Sequence, residues 1–524
     1  MKKTAAVLIA CAISALMPSF ASAQVSREQF SKIATTLLFL EEYYIDSLDY
    51  DKLADIAVEA MVSSLDPHTV FLSKQQAEEA DETMSGEFDG VGIEFAIIKD
   101  TLTVQDVIAG GPASKVGLRV GDKIMKVDTV QLAGTKFTNN KVRSLLRGKR
   151  GSKVDVDIMR RGVPGVRTYT ITRDRIPMES VVASYEAAPG VVYIKLNRFA
   201  QTSGREVFDA LRMLGKEPAG VILDLRGNGG GLLASGLTIT NLFLSKGQLL
   251  MYTEGARSAR RDEVATGNGI YQKGPLVVMV DENSASASEI LAGAIQDWDR
   301  GTIVGRRTFG KGLVQREMGY NDGSALRVTT ARYHTPSGRA IQSPYEDGDS
   351  EGYYREHNDR YARGESFSAD SISFDESQRF KTLVKGRTVY GGGGIMPDIF
   401  VPRDTSYLSS FYTQVAARSL LQDFMNDYMD VRRDELKKKY SSWKALTADP
   451  AVDAVFDEFL EYVKGRGVNP SQEDVDKSSG EIKLAMKALM ARSIWDDNAY
   501  YQVINSEDAD YKVALEEALA LKAR

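Results

Sequence analysis

The chain has 524 residues, of which 43% are hydrophobic and 26% are charged, a composition that suits a packed interior and excludes wholesale disorder or a collagen-like fibre. At roughly 150 residues per domain, this length predicts about three domains. Lysine and arginine total 66 against 72 for aspartate and glutamate, a net charge of −6, so no basic excess indicates nucleic acid or anionic lipid as the main partner.

Residues 1–23 are predicted to form a secretory signal peptide. Lys2 and Lys3 precede an apolar stretch, and the small residues at 21–23 form a cleavage signal. The single cysteine, Cys11, lies inside this leader, so we expect a mature chain without disulfides in the bacterial periplasm or cell envelope. The alternative is a lipoprotein box ending at Cys11, although the apolar run before it is short. No later segment is long and apolar enough to span a membrane.

The first part of the mature chain changes character near Gly86. Residues 24–85 are predicted to form a helical region, a small domain or arm, because apolar residues such as Phe30, Ile33 and Leu37 recur at helical spacing. Residues 86–175 instead contain short alternating segments separated by glycine, which predict a small β-rich module.

Residues 176–403 are predicted to form an α/β core. Three continuous apolar runs in this region are typical of strands covered on both faces, and they lie at 191–194, 221–225 and 276–280. Residues 345–380 interrupt the core with a polar stretch, interpreted as a surface insertion of uncertain order. Residues 404–524 return to helical periodicity, and we interpret their charge runs as solvated helix faces. The fold class predicted is therefore multidomain α+β.

Ser286 is the candidate nucleophile. It follows the apolar run ending at Val280, in a predicted strand, turn and helix, and it has serines two positions away on both sides. This pattern resembles a nucleophile elbow, in which only small neighbours permit the sharp turn. The helix dipole and the N–H of Ala287 would then favour a developing oxyanion. Ser286 and Glu289 also match a capping box, and capping alone explains a serine at a helix start.

A serine hydroxyl needs a base to become a nucleophile. Of the three histidines, His68 lies in a predicted turn of the helical arm and His357 in the polar insertion, so His334, after a predicted strand, is the only one that could reach Ser286. A structural role is the simpler interpretation for each histidine. Lys311 is the alternative base, because its apolar and glycine neighbours could bury the amine and keep it neutral.

Two glycine-rich segments suggest anion sites. Residues 305–311 nearly match a phosphate-binding loop, but Gly312 replaces the hydroxyl residue that holds magnesium, so nucleotide binding is not predicted. Residues 224–233 follow a predicted buried strand, and their consecutive amides form a nest for an anion, with a tight or flexible turn as the alternative. No HExxH motif and no cluster of Cys and His occurs, so neither metal nor cofactor is expected.

With these motifs, the chain resembles the carboxy-terminal processing proteases, which are tail-specific serine peptidases with a PDZ domain. The family's nucleophile motif is matched by residues 284–290, and its Thr-Phe-Gly-Lys-Gly motif by residues 308–312. The resemblance implies a dyad of Ser286 and Lys311, with Gln315 in the place of a glutamine that orients the lysine in some members.

Other features of the resemblance concern individual residues and loops. Asp297 matches a family aspartate, although we prefer to interpret it as a carboxylate on a helix surface. Gly229 stands where many relatives have proline, and many relatives lack an insertion at 345–380. The shape of the loops around the site is therefore not predicted by the resemblance.

The β-rich module resembles a PDZ domain in two stretches, residues 111–124 and the glycine loop Gly90, Val91, Gly92 and Ile93. The resemblance implies that the amides of this loop bind the terminal carboxylate of a peptide, which adds as a strand to the edge of the sheet. A plain hairpin turn is the alternative interpretation of these glycines.

These observations predict an exported serine endopeptidase that recognises free C-terminal tails of proteins or peptides through its PDZ domain and hydrolyses nearby peptide bonds through an acyl-enzyme on Ser286. Lys311 is the predicted base, and the oxyanion is predicted to bind the N–H groups of Ala287 and of Gly230 or Gly231. Neither nucleic acid nor a metal is expected, and the helical ends could build a homo-oligomer. The alternative is a noncatalytic PDZ scaffold that binds protein tails in the envelope, which would have no need of Ser286 or Lys311.

Overall fold

The computed structural model describes residues 26–98 and 100–523. The predicted signal peptide and the lipoprotein alternative at Cys11 lie outside these residues. The chain divides into two compact units, with the boundary between Leu65 and Asp66. This boundary falls inside the region 24–85 that the sequence predicts as one helical region, so residues 66–85 belong to the second unit.

Within residues 26–65, the first unit contains two helices, α1 (Arg27–Tyr43) and α2 (Tyr50–Val62). Ser26 caps α1, and the side chain of Gln29 returns to the Ser26 N–H in a capping box. None of the residues of α1 is buried, and the Phe39 side chain is 60% exposed. The helices predicted for this stretch are therefore present, and apolar side chains of α1 are exposed to solvent.

The second unit begins with β1 (Val70–Leu72), α3 (Lys74–Ser85) and β2 (Glu87–Gly90). The β-rich module follows and comprises β3 (Ile93–Ile98), β4 (Thr101–Val107), α4 (Pro112–Val116), β5 (Lys123–Val127), β6 (Val130–Gln131), α5 (Asn139–Leu146), β7 (Lys153–Met159) and β8 (Val166–Thr172). Its antiparallel sheet has the strand order β3-β4-β5-β7-β8, with β6 paired to β5. Because β3 is an edge strand, one side of its backbone is available for another strand.

The α/β core begins after β9 (Asp174–Pro177), which pairs with β2. Its elements are β10 (Val181–Ala188), β11 (Val191–Leu196), α6 (Ser203–Leu211), β12 (Gly220–Asp224), α7 (Leu233–Asn241), β13 (Leu249–Gly255), β14 (Ser258–Val264), β15 (Leu276–Val280), α8 (Ala287–Asp297), β16 (Thr302–Gly305), β17 (Leu313–Gly319), β18 (Ala325–His334), α9 (Ser350–Ala362), β19 (Arg379–Lys381), β20 (Thr388–Tyr390) and β21 (Ile399–Phe400).

The remainder of the chain is helical. Its elements are α10 (Ser410–Ala417), α11 (Leu420–Lys439), α12 (Trp443–Ala448), α13 (Pro450–Asp453), α14 (Val455–Lys464), α15 (Gln472–Ile494), α16 (Asp497–Asn505) and α17 (Ala509–Ala523). Helices α10 to α15 share an apolar core of their own, to which Phe411, Phe424, Phe459 and Met490 contribute. None of the helices among the described residues has the length and apolar character of a membrane span.

The main sheet of the core has the strand order β10-β11-β12-β15-β16-β21, parallel from β11 onward. Every residue of β11, β12 and β15 is buried, as the continuous apolar runs predict. Helices α6, α7 and α8 cover one face. The other face packs against α17, through Tyr511, Ala514 and Ala518. The last helix of the chain therefore completes the α/β core.

A second sheet lies around β18, which pairs antiparallel with β1, β13 and β17. Pairing with β1 brings the residues just before Val70 to the start of β17. The insertion at 345–380 is folded: it contains α9 and two short 3-10 turns, and the Tyr353 side chain is buried. The two sheets, the small β module and the helical region confirm a multidomain α+β fold.

Candidate active site

Ser286 lies in the turn between β15 and α8, where its backbone has φ 56° and ψ −113°. A helix-capping residue normally has an extended backbone, and a positive φ strains any residue other than glycine. Glu289 supplies its half of the capping box, because its carboxylate accepts the Ser286 N–H at 2.8 Å, whereas the Glu289 N–H donates to the Ser286 carbonyl oxygen at 2.9 Å. Among the described residues the Ser286 side chain makes no capping hydrogen bond, so capping does not explain this serine. The strained backbone is what an elbow requires, since it turns the half-exposed Ser286 side chain outward between buried neighbours.

Gly230 lies against this elbow. A Cβ atom placed on Gly230 would lie 2.8 Å from the Ser286 Cβ and 2.8 Å from the Ala285 carbonyl oxygen, and the backbone of Gly230 has a φ of +97°. Glycine is therefore required here for both space and conformation. The glycine-rich turn after β12 and the turn after β15 meet at this point, because parallel strands end at the same edge of the sheet.

The buried carboxylate of Glu289 joins the elbow to the loop before β17. Its Oε2 accepts the N–H of Ser286 at 2.8 Å and the N–H of Lys311 at 2.9 Å. Its Oε1 accepts the Thr308 hydroxyl at 2.6 Å and the N–H of Gly310 at 2.7 Å. Burial raises the pKa of Glu289 to about 7. The four hydrogen bonds favour the ionised form and act in the opposite direction, lowering this pKa. Sequence reasoning treated Glu289 only as a cap and missed its contacts with the second loop.

Lys311 ends this loop, and its Nζ donates to Gln315 Oε1 at 3.0 Å. The amide of Gln315 in turn donates to the His68 carbonyl oxygen, so both ends of the Gln315 side chain are held. Burial, and next the positive charge of Arg327, lower the pKa of Lys311. At a given pH, a larger fraction of the Lys311 amine is therefore neutral than for a lysine on a protein surface. A lysine base must be neutral to accept a proton.

The hydroxyl of Tyr333 gives a second link between the two loops. It donates to the Lys311 carbonyl oxygen at 2.8 Å and lies 3.2 Å from the Ser286 carbonyl oxygen. Burial holds the pKa of Tyr333 well above its ordinary value, so this hydroxyl stays protonated as a donor. The structure thus brings together the backbones of Ser286 and Lys311, which are 25 positions apart in the chain.

The N–H groups predicted to bind the oxyanion differ in whether they already donate a hydrogen bond. The N–H of Gly230 already donates to Asn228 Oδ1 at 2.9 Å. The N–H groups of Ala287 and Gly231 have no hydrogen-bond partner among residues 26–98 and 100–523. Gly231 is also closely packed, since a Cβ on it would lie 2.2 Å from the Phe199 carbonyl oxygen. Ala287 and Gly231 are therefore the candidates that remain free to donate.

His334 contacts Glu254, Gly338 and Tyr252, which agrees with the structural role that the sequence favoured for it. Its Nε2 lies 3.2 Å from Glu254 Oε1 and its Nδ1 lies 3.2 Å from the Gly338 carbonyl oxygen. The ring stacks on Tyr252 with centroids 4.6 Å apart. The pairing of β18 with β13 causes this placement, because it turns the end of β18 toward Tyr252.

The two other histidines lie beside the lysine loop instead. His68 Nε2 lies 3.2 Å from the Tyr353 hydroxyl, and burial, followed by the charge of Lys311, lowers the pKa of His68 to about 4. His357 stacks on Phe309 at 3.8 Å, with its Nε2 2.7 Å from the Phe309 carbonyl oxygen. Helix α9 of the insertion therefore packs on the loop that carries Lys311, which sequence reasoning did not foresee.

Asp297 is not a surface carboxylate, and that interpretation is wrong. It is fully buried at the end of α8 and pairs with the equally buried Arg339 at 2.7 Å. Its second carboxylate oxygen accepts the N–H of Ser337 at 2.9 Å. This ion pair joins α8 to the turn after β18, so its role is structural.

Comparison with known proteins decides the family. A model of peptidase family S41 matches residues 190–348, a PDZ domain model matches residues 90–165, and a model of a family of unknown function matches residues 411–496. The chain is 35% identical to the carboxy-terminal processing protease CtpA of Bacillus subtilis over 322 residues, which are 61% of this chain and 68% of that protein. The chain belongs to the carboxy-terminal processing proteases. The resemblance predicted from the sequence is confirmed.

A second relative agrees with this assignment. The carboxy-terminal-processing protease of Bartonella bacilliformis is 34% identical over 326 residues, 61% of this chain and 74% of the relative. A solved structure of the photosystem II D1 C-terminal processing protease matches 72% of this chain and 87% of its own at 29% identity, with a TM-score of 0.37. The chain is thus a serine-type peptidase with a PDZ domain.

In this peptidase α17 contacts both the glycine-rich turn after β12 and the loop that leads to Lys311. Asp510, in the first turn of α17, accepts Arg306 Nη1 at 3.0 Å with each carboxylate oxygen and Arg226 Nη1 at 3.2 Å. Arg226 belongs to the glycine-rich turn and Arg306 to the loop that leads to Lys311. These contacts span more than 200 positions of the chain, so no local pattern could indicate them.

The PDZ domain of the peptidase has a cavity of about 310 Å³ between edge strand β3 and helix α5. The glycine loop predicted to bind a terminal carboxylate lies at its wall, with Gly90, Val91, Gly92 and Ile93. Gly92 has a φ of +77°, which the turn into β3 requires. The cavity is therefore of a size and place that suit the end of a peptide.

Proposed function

We propose that this peptidase cleaves peptide bonds through a dyad in which Ser286 is the nucleophile and Lys311 the base. The observation that carries the proposal is the environment of Lys311. Its amine is half-buried with a lowered pKa, is oriented by Gln315, and belongs to a loop joined to the Ser286 elbow through Glu289. A lysine that serves only the fold needs neither a depressed pKa nor a strained serine nearby.

In the proposed reaction, the neutral amine of Lys311 removes the hydroxyl proton as Ser286 Oγ attacks the carbonyl carbon of the substrate. The oxyanion that forms accepts the N–H groups of Ala287 and Gly231, each donor typically contributing about 3 kcal/mol. Lys311 then donates the proton to the leaving amine, and an acyl-enzyme remains. Water, activated by the same amine, hydrolyses this ester and regenerates the serine.

We further propose that the PDZ domain recognises a free C-terminal tail. The tail would add as a strand to the edge of β3, and its carboxylate would accept the amides of the loop at residues 90–93. The cavity between β3 and α5 supports this assignment, since the backbone of an edge strand is free to pair on one side.

We also propose that the protein is exported to the periplasm or cell envelope. The support is in the sequence: Lys2, Lys3, the apolar stretch after them and the small residues at 21–23 have the order of a secretory leader. Sequencing the N-terminus of protein recovered from an envelope fraction tests this directly. A mature terminus near Gln24 is expected, whereas an intact Met1 in the cytoplasm would contradict export.

Cleavage of an unfolded protein with an apolar tail tests the dyad. Wild-type protein is expected to release fragments, detected by mass spectrometry, whereas Ser286→Ala and Lys311→Ala are each expected to release none above background. Lys385→Ala, at an exposed lysine, serves as the matched control and should retain full activity. Equal cleavage by wild type and Ser286→Ala would refute the serine assignment. Tail binding by a wild type that cleaves nothing would instead favour the scaffold.

A further inference from the structure

The groove of the PDZ domain contains an exposed arginine, Arg143. Arg143 lies on α5, is exposed, and lines the cavity together with Asn139 and Leu146, at the i, i+4 and i+7 positions of one helix face. Within the part of the chain that the structure describes, no carboxylate forms an ion pair with Arg143. A groove that binds peptides therefore presents a free cation to its ligand.

The other charges that line the groove have partners. Arg147 pairs with Glu82 of α3, and its guanidinium lies over the Phe88 ring at 4.8 Å from the centroid. Glu94 pairs with Arg492 of α15 at 3.4 Å. These pairs connect the groove to elements outside it and leave Arg143 as the charge available to a ligand.

The position of Arg143 along the groove follows from the glycine loop. A Cβ on Gly90 would lie 3.9 Å from Arg147 Cγ, so the C-terminal end of α5 is next to the loop proposed to bind the tail carboxylate. Leu146 then flanks the last side chain of the tail. Arg143 lies three residues earlier, about 4.5 Å along the helix. In an added strand, the next side chain on the same face is about 6.6 Å away, which places the third residue from the end beside Arg143.

We propose that Arg143 makes the PDZ groove prefer tails with an acidic residue at the third position from the end. Val91 and Leu146 line the loop end of the groove, so the tails considered have an apolar last residue. The proposal builds on the tail-binding role proposed for the domain and adds the chemistry of the tail. It concerns binding alone, so it does not depend on the Ser286 mechanism.

The size of the effect follows from the exposure of Arg143. An ion pair between solvent-exposed groups contributes only a small binding free energy. An acidic residue at the third position is therefore expected to tighten binding about fivefold over alanine at low salt. Lysine at the same position is expected to weaken binding by a similar factor. Because salt screens exposed charges, both differences should shrink as the ionic strength rises toward 1 M.

Binding of labelled peptides to the full chain with Ser286→Ala tests the proposal without cleavage. The probes are ten-residue peptides ending in valine that differ only at the third residue from the end, with aspartate, alanine or lysine. The order expected is aspartate, alanine, lysine. Adding Arg143→Glu should reverse this order, and Arg143→Gln should abolish it. Arg167→Glu makes the same charge change on β8, at the opposite edge of the sheet, and should leave the order unchanged.

Peptides with an amidated C-terminus show whether the free carboxylate is recognised. They therefore distinguish a failure of the Arg143 proposal from a failure of the tail-binding proposal. If free peptides bind, amidation weakens them and Arg143→Glu favours lysine, the proposal is supported, and the gain for the lysine peptide also shows that the variant is folded. If free peptides bind but aspartate and lysine are equal, or if Arg143→Gln keeps the preference, the proposal is overturned while tail binding stands. If no peptide binds, or amidation changes nothing, both proposals are overturned.

Discussion

Oε2 of Glu289 accepts the backbone N–H of Lys311 at 2.9 Å, and this contact makes one buried carboxylate the link between two loops. The same oxygen accepts the N–H of Ser286 at 2.8 Å. The elbow and the lysine loop therefore cannot move apart without breaking charge-assisted hydrogen bonds inside the protein, which are about twice as strong as neutral ones. The carboxylate positions the proposed catalytic groups and touches no reacting atom.

Replacing Glu289 by glutamine tests this positioning role. The amide turns an N–H group toward backbone donors, so at least one hydrogen bond is lost and one donor stays buried without a partner, at a cost of about 1–3 kcal/mol. We expect Glu289→Gln to lower kcat at least tenfold with little change in KM for peptide substrates. Glu435→Gln, at an exposed glutamate of α11, is the control and should change neither. An unchanged kcat in Glu289→Gln would contradict the positioning role.

The pH dependence of cleavage tests Lys311 as the base. Only the neutral amine accepts a proton, and burial lowers the pKa of Lys311 below its ordinary value of 10.5. We expect kcat/KM to rise tenfold per pH unit below that pKa and to become constant above it. The midpoint of the transition should lie below pH 10.5. His68, with a pKa of about 4, would titrate well below this rise, whereas Glu289, with a pKa of about 7, titrates within the range tested and adds to the rise as its carboxylate forms. A profile flat between pH 5 and 10 would argue against a lysine base.

Gln315→Leu removes the acceptor of the Lys311 amine and the contact with the His68 carbonyl oxygen. The lysine then loses its fixed orientation, so we expect kcat to fall about tenfold while KM is retained, because the glutamine is not expected to contact the substrate. Steady-state kinetics on a fluorogenic peptide measures both constants. Gln414→Leu, at an exposed position of α10, makes the same change away from the site. A selective rise in KM would show that Gln315 acts on substrate binding instead.

Asp510→Asn should destabilise the protein as well as slow it. The carboxylate pairs with Arg226 and with the buried Arg306, and its loss leaves both cations with fewer counter-charges. Asp224 and Asp508 still pair with Arg226, and Glu282 still pairs with Arg306. We expect the free energy of unfolding to fall by about 2–3 kcal/mol, below the full cost of breaking a buried pair. Asp508→Asn is the comparison variant, since the only arginine that its side chain pairs with among the described residues is Arg226, and asparagine can still accept the Tyr511 N–H that Asp508 accepts at 2.6 Å, so it should cost less. Urea denaturation followed by fluorescence measures both, and equal losses would contradict the bridging role.

Much of the fold could be predicted because it depends on local patterns. The apolar runs at 191–194, 221–225 and 276–280 predict strands buried on both faces, and all three form such strands. The small residues around Ser286 predict a sharp turn between strand and helix, and the turn has the strained backbone expected. A periodic pattern specifies which face of an element is apolar, and that information lies within a few residues.

The insertion at 345–380 shows where composition misleads. Its polar character suggested uncertain order, but a polar helix can be held by a few specific contacts. His357 stacks on Phe309, and Arg360 donates to the Ser343 hydroxyl at 2.8 Å. These partners lie in other segments of the chain, so the composition of the insertion alone could not indicate them.

The sequence by itself determined the types of element, the motifs and the family, because each rests on residues close together in the chain. Only the tertiary structure decided which distant groups meet: Glu289 with Lys311, Gln315 with His68, and Asp510 with two arginines. It also decided that Asp297 is buried and that His334 faces Tyr252. The physical reason is that a side chain's charge or hydrogen-bonding capacity specifies the kind of partner it needs, whereas the packing of whole sheets and helices determines which residue supplies it.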